Sequence, residues 1–444
     1  MPPLMGSDIR YIRARRIYAG GGAAPLSDAA LVLDGPRVAG VVPAAQAASM
    51  GTEIAHYPDG TVLPGLIDAH CHLTLAGDGR SYAQMATDSD ALMALISLRN
   101  MQKHLSSGVT TLRDNGGRNT ITFAVRDAIE RGYVYGPRLL LAGRPVTHTR
   151  GHFHWCNGVA DGAEEIRRAV RELVADGADH IKIMASGGGT AGTLPYLPSY
   201  TVAEMATAVQ TAHSLGTPTT AHCRAKAAVE NAVDAGLDCI EHYEFLVRDP
   251  TAPYAGATSG SRIDYDPRVT QKVIDRGTYV SFTMQAGYGT LLELRHRDPA
   301  LLTARDVADR DVLELYFDAK IALFSNLLRD GLLPQIVISS DSGCGADEFG
   351  SLHRGMELAV QGGMTTTQAI DSVTCIAAKA AHVDDVVGTL SAGKRADIVV
   401  IKGDPFADIA QMRHVEAVYR DGTEVPRDAH QASLLFAAAT AARL

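Results

Sequence analysis

The chain's 444 residues are 46% apolar and 20% charged, the balance of a folded globular protein and not of a disordered or membrane-embedded one. A formal net charge of −9 excludes a general nucleic-acid surface, which needs clustered basic residues against phosphates, and leaves a small-molecule partner as the expectation. The six cysteines (Cys71, Cys156, Cys223, Cys239, Cys344 and Cys375) include no CxxC pair and read as reduced thiols, not as a disulfide framework or a zinc knuckle.

The first residues, MPPLMGSDIRYIRARRIYAGGG, carry basic groups but no apolar core of signal-peptide length. No later stretch reaches the ~18 apolar residues of a membrane span, so a cytoplasmic protein with no membrane partner is expected. Up to residue 63 short β-like runs, such as Ala30 to Leu33 and Val38 to Val42, alternate with Gly, Pro and Asp. GTLSAGKRADIVVIKGDP and VEAVYRDGTEV repeat that texture near the other end. Residues 1–63 and 386–444 are therefore expected to form one small β-sandwich domain.

Residues 64–385 alternate strand-like runs with amphipathic helices, the pattern of a parallel α/β architecture. In DGAEEIRRAVRELVADG, Asp161 reads as an N-cap with Glu164 three residues on, apolar residues follow at helical spacing, and Gly177 stops the helix. The strand-like HIKIM follows, then a capping box of Thr201 and Glu204, then TPTTAHC, another helix ending at Gly236, and LDCIEH. Candidate strands end near His72, Arg113, Gly143, Met184, His222, His242, Thr283 and Asp341, eight in all. Eight suits a (β/α)8 TIM barrel, although an open doubly wound sheet shares the periodicity. The segment 284–335 reads as a helical cover or an oligomer contact.

In VLPGLIDAHCHL, His70 and His72 lie two apart at a strand end, so both imidazoles face one side, as two ligands of one metal ion would. Cys71 and, further on, Glu241 are expected to face away, Glu241 toward the helices. Lys182 sits inside the apolar strand HIKIM, where an unpaired ammonium is costly. It is either salt-bridged or snorkelling, or carbamylated by CO2 into a carboxylate that can bridge two ions. His222 and His242 end later strands one βα repeat apart, and Asp341 closes QIVISSDSG, where a carboxylate can take a proton from water. Each alone has an ordinary structural reading. Together, all six fall at the C-terminal ends of strands, the catalytic face of barrel enzymes.

PGLIDAHCH, GVTTLRDNGG, ADHIKIMASGG, AHC, IEHYEF, SSDSG and GTLSAGKRADIVVIKGDP together resemble the amidohydrolase superfamily over nearly the whole chain. The resemblance is to the branch of imidazolonepropionase-like and prolidase-like enzymes in which a fourth-strand lysine is carboxylated and bridges two divalent ions. It implies that His70, His72, Lys182, His222, His242 and Asp341 are the metal ligands and that Lys182 carries a CO2-derived carbamate. Zinc suits such ligands first, with manganese, cobalt or iron also able to fill the site. It implies further that the ions lower the pKa of a bridging water, that Asp341 takes its proton, and that the resulting hydroxide attacks a polarised carbonyl. Imidazolonepropionase itself and the related deaminases use one metal and lack the lysine, so Lys182 favours the two-metal branch.

The expected reaction is hydrolysis of an amide-like C–N bond in a dipeptide, an N-acyl amino acid, or a carbamate or urea-type compound, by an enzyme that forms a homo-oligomer. A lactone or phosphoester hydrolase on the same site is the alternative, and a non-catalytic scaffold is an alternative of another class. Two places depart from the relatives. AHCRA puts Arg224 where a second histidine is usual, and Arg224 is read either as a binder of a substrate carboxylate or carbonyl or as salt-bridged to a loop acid. The loop THTRGHFHWCNG offers His152 as a polariser of the scissile carbonyl, with His148 and His154 as weaker candidates. The Gly-rich SGGGTAGTLPYLPSY lacks the order of a nucleotide-binding loop and reads as a flexible loop over the barrel mouth, with Tyr196 and Tyr200 able to line a pocket.

Overall fold

The computed structural model describes residues 9–252, 258 and 260–425; the outer parts of both end segments, 1–8 and 426–444, lie outside the described residues. In chain order the strands are β1 (Ile9–Ile17), β2 (Leu26–Asp34), β3 (Arg37–Pro43), β4 (Thr52–Pro64), β5 (Leu66–Cys71), β6 (Val109–Asp114), β7 (Arg138–Leu141) and β8 (Ile181–Met184). They continue with β9 (Thr219–Ala225), β10 (Cys239–Arg248), β11 (Ser261–Ile263), β12 (Tyr279–Phe282), β13 (Ile336–Ile338), β14 (Ile398–Lys402), β15 (Val415–Arg420) and β16 (Thr423–Glu424).

The chain ends meet in one continuous seven-stranded sheet of order β16-β15-β14-β4-β1-β2-β3. Antiparallel pairing of β14 with β4, from Ile398 opposite Pro64 to Lys402 opposite Gly60, joins the two halves. The period of two is visible in its packing: Ile12, Ala14, Leu31 and Leu33 share a core with Ile398 and Val400, while Tyr11, Ala30 and Val32 pack on the other face.

The middle of the chain is an α/β fold of parallel strands. β5, β6 and β7 pair in parallel, as do β8, β9, β10, β12 and β13, with β11 added antiparallel to β10. Two parallel bridges link these sets, Val146 with Ile183 and Cys71 with Ser342. Helices follow the strands, among them Asp90–Ser106, Gly162–Ala175, Val202–Ser214, Pro267–Arg276 and Ala304–Arg329. Ile181 and Ile183 pack outward against Ile166, Val170 and Leu173 of the helix Gly162–Ala175, each contributing about 1.5–3 kcal/mol by burial. Strand alternation then turns Lys182 inward. The same logic on β5 packs Ile67 and Ala69 against Val337, Ala377 and Ala378, and turns Asp68, His70 and His72 the other way.

Local expectations hold with two amendments. Thr201 and Glu204 form the capping box, the Thr201 hydroxyl accepting from Glu204 N and the Glu204 carboxylate accepting from Thr201 N. Asp161 precedes its helix without capping it: its carboxylate accepts from Thr149 N at 3.0 Å, and Glu165, not Glu164, reaches back to Asp161 N. β10 runs on past His242 to Arg248 because His242, Tyr243 and Phe245 adopt φ of 67°, 59° and 55°, which bends the strand and shifts its register against β9. Among the described residues no helix is long and apolar enough to cross a membrane, and all six cysteines are free.

Candidate metal centre

The ends of β5 and β10 and the turn after β13 converge on one buried cluster. His70 is fully buried; its Nδ1 lies 2.7 Å from Glu241 Oε2, which turns Nε2 toward Asp341 Oδ1 at 3.3 Å. His72 donates from Nδ1 to Gly116 O at 3.0 Å and presents Nε2 at 3.6 Å from the same Asp341 oxygen. His242 binds Thr283 Oγ1 through Nδ1 at 2.8 Å. The Nε2 atoms of His70 and His242 are buried with no hydrogen-bond partner among the described residues. Each ring is thus held at Nδ1 while Nε2 is presented, the way a metal-ligating histidine is held by its neighbours. His222 uses the opposite nitrogen, donating from Nε2 to Gly187 O at 3.1 Å, and its ring centroid lies 4.3 Å from that of His242.

Burial drives the pKa values of His72, His222 and His242 well below the usual range, with the charges of neighbouring histidines and Lys182 adding to it. Neutral imidazoles are the form that can ligate. Asp341, at φ 58°, has its carboxyl pKa raised by burial, against the pull of His70 and Lys182. Two groups, His70–His242–Asp341 and His72–Asp341–Cys344, bring their ligand atoms within 4.8 Å of one another.

Lys182 has no solvent exposure, and its Nζ has no hydrogen-bond partner among the described residues. Burial lowers its pKa, opposed by the Glu241 and Asp341 carboxylates. Neither the salt-bridged nor the snorkelling geometry is present.

Glu241 corrects an expectation. It faces inward, fully buried, and its carboxylate accepts from Arg113 Nη2 at 2.7 Å and from the Thr220 hydroxyl as well as meeting His70. The left-handed backbone at His242 breaks strand alternation, so both Glu241 and His242 reach the interior. Burial works against its ionisation, but Arg113 and His70 hold its pKa well below the carboxylate range. Cys71 does face away, into the core.

Above the cluster lies a cavity of about 660 Å³ whose walls include His72, His152, His222, Arg224, His242 and Asp341. His152 is buried with Nδ1 2.8 Å from Thr190 Oγ1, and burial together with the charges of Arg224 and Lys182 takes its pKa down to about 3. His148 and His154 bind backbone carbonyls nearby and do not line the cavity, nor do Tyr196 and Tyr200; Tyr200 donates instead to Ala160 O. The glycine-rich loop packs tightly against the site: a Cβ on Gly188 would stand 2.6 Å from His152 Nε2.

Arg224 is buried and paired, its Nε 2.6 Å from Glu244 Oε2 and its Nη2 3.4 Å from the Tyr316 hydroxyl. Lys320, with no exposure, lies 3.6 Å from Glu244 Oε1. Two cations thus flank the one Glu244 carboxylate. Tyr316 belongs to the segment 284–335, which also supplies Thr290, Arg305, Asp309 and Leu313 to the cavity and so covers it. Glu244 and Tyr316 were missed from sequence, and no local pattern marks either of them.

The amidohydrolase family model matches residues 61–425. Ochratoxinase of Aspergillus niger is 25% identical, the match covering 94% of this chain and 87% of that protein. Imidazolonepropionase of Salmonella schwarzengrund is 24% identical, covering 88% of each. Among solved structures, a Xaa-Pro dipeptidase with bound methionine superposes with a TM-score of 0.78 at 25% identity, over 94% of this chain and 99% of that one.

Proposed function

The chain is an enzyme of the amidohydrolase family, and from that premise we propose that it is a metal-dependent hydrolase of an amide-like C–N bond in a dipeptide or N-acyl amino acid, or in a carbamate or urea-type compound. The eight parallel strands and their helices are read as a (β/α)8 barrel over 64–385, with the two chain ends as the smaller domain. His70, His72, Lys182, His222, His242 and Asp341 would hold two divalent ions, zinc by preference.

The observation that carries this reading is the Lys182 amine, wholly buried and without a hydrogen-bond partner among the described residues. A charged ammonium there would cost several kcal/mol. Addition of CO2 to the neutral amine forms an N–C bond and releases one proton, leaving an anionic carbamate whose two oxygens suit two cations. The unpartnered Nε2 atoms of His70 and His242 fit the same cations.

Such ions, when bound, activate a water and polarise the scissile carbonyl. Asp341 takes the proton of the attacking water and returns it to the leaving nitrogen. Thr190 Oγ1, which accepts from Phe153 N, donates its own proton to His152 Nδ1 and leaves Nε2–H to bind the carbonyl oxygen. Arg224, held in place by Glu244, receives a substrate carboxylate. The volume of the cavity and its Tyr82, Phe153 and Leu313 walls suit an apolar acyl or side-chain group.

The test is a panel of dipeptides, N-acyl amino acids, carbamates and ureas on metal-loaded enzyme, with lactones and phosphoesters alongside. Turnover of C–N substrates is expected. Turnover confined to lactones or phosphoesters, or none with both ions bound, would overturn the reading.

A further inference from the structure

Four carboxylates line the cavity among the described residues, and three of them are accounted for. Asp341 belongs to the metal centre, Glu244 is met by Arg224, Lys320 and the Tyr316 hydroxyl, and Asp309 lies 3.6 Å from Arg305 Nε. Asp347 is the fourth. It is only 3% exposed, and its carboxylate accepts from Gly287 N and, at 3.0 Å, from Gly289 N, with no cation or side-chain donor on it among the described residues. Those two N–H groups hold the carboxylate at a wall that Ala286, Gly287 and Thr290 share, and leave about half of its lone-pair positions open. Burial raises its pKa to about 7, with Asp341 adding to the rise and the two N–H groups and Lys320 opposing it. A negative charge here lacks the contacting cation that Glu241 has in Arg113 and Glu244 in Arg224.

The backbone fixes where this carboxylate stands. Asp347 N donates to Cys344 O at 2.9 Å and Asp347 O accepts from Gly343 N at 2.8 Å, so the residue closes the turn that leaves Asp341. In a dipeptide the α-ammonium is two bonds from the scissile carbonyl carbon, and the α-carboxylate is two bonds from the leaving nitrogen. A group that takes the ammonium therefore has to stand beside the metal centre, as Asp347 does.

We propose that Asp347 is the subsite for a substrate α-ammonium, so that the substrates are dipeptides with a free amino terminus in preference to N-acyl amino acids, carbamates or ureas. The inference rests on the amide-hydrolase reading above and narrows it. Arg224 and Asp347 then supply one cationic and one anionic contact within a single cavity, the complement of a zwitterion.

The experiment compares dipeptides of several side chains with their des-amino counterparts, such as phenylalanyl-alanine with 3-phenylpropanoyl-alanine, on metal-loaded full-length protein. Wild type is expected to favour the dipeptide by roughly tenfold or more in kcat/KM, carried mainly by KM, as loss of a hydrogen bond to a charged group implies. Asp347→Asn, which keeps the shape, is expected to shrink that ratio by a similar factor, whatever it does to the absolute rates. Wild type that hydrolyses both members of each pair equally would overturn the proposal and leave the C–N hydrolase standing, as would a preference that survives in the variant. No C–N turnover across the series with both ions bound would overturn the underlying reading as well. Should the variant fail to fold, the wild-type ratio decides, because Asp347 is the one cavity carboxylate without a side-chain or metal-centre partner among the described residues.

Discussion

Replacing Glu241 by Gln tests how the centre is held, because the two side chains have nearly the same shape. Four donors converge on the Glu241 carboxylate: Oε2 meets His70 Nδ1 at 2.7 Å, and Oε1 accepts from Arg113 Nη2 at 2.7 Å, from Thr220 Oγ1 and, at 3.7 Å, from the Cys239 thiol. An amide offers one acceptor and one donor. If its oxygen keeps Arg113 and Thr220, its NH2 faces the His70 N–H; if it keeps His70, the NH2 faces the buried guanidinium. Breaking a buried ion pair costs about 3–5 kcal/mol. The lower end, about 3 kcal/mol, applies because Arg113 retains its bonds to Ala69 O at 2.8 Å and Ala380 O at 3.2 Å. Against a total stability of ~5–15 kcal/mol the variant still folds. Keeping the Oε1 bonds at the expense of the one to His70 frees His70 to rotate, and metal affinity should fall by about 10–100-fold. Chemical denaturation of metal-free protein and competition with a chelator measure the two effects. A Gln variant with wild-type stability and wild-type metal affinity would refute the assignment of Glu241 as the group that holds His70 and Arg113.

Further perturbations probe the cavity. Gly188→Ala places a Cβ 2.6 Å from His152 Nε2, so turnover should fall by about tenfold or more with metal content unchanged, in keeping with the cost of a small misplacement; unaltered turnover would remove His152 from the chemistry. Arg224→Ala should raise KM by about tenfold or more for substrates bearing a carboxylate and much less for neutral ones, the loss of one charge-assisted contact; equal effects on both would reject the binding role. His152 titrates at 6.5 when unfolded and at about 3 when folded. Between those values the unfolded state holds the extra proton, so stability falls on acidification by up to about 1.4 kcal/mol per pH unit. In metal-free His152→Gln the slope of stability against pH over that window should be smaller by up to that amount, and an unchanged slope would count against a buried neutral His152.

The parts of the site that depend on strand alternation were legible in the sequence. His70 and His72 two apart on β5, and Lys182 between two outward isoleucines on β8, follow from a period of two once the strands are recognised. Glu241 was read as outward because alternation forbids adjacent residues from facing one way, and the left-handed backbone at His242 that defeats the rule leaves no mark in IEHYEF. Arg224 could be read as paired or as free to bind. It proves to be paired, with Glu244 on the neighbouring strand and with Tyr316, which is separated from it by 92 residues. Pairings across such separations are set by how elements pack, which no local pattern encodes. The segment 284–335 shows the same limit, since its helices read as helices but their place at the cavity wall depends on how distant elements pack.

The central claim is that Lys182, as a carbamate, joins two ions in one hydrolytic centre. Its most direct measurement is the divalent ion content and turnover of Lys182→Ala, with and without a short carboxylic acid to stand in for the carbamate. Wild type should hold about two ions per chain, the variant should lose ions and turnover together, and the acid should restore both. A variant that keeps its full ion content and its activity without the acid would contradict the account.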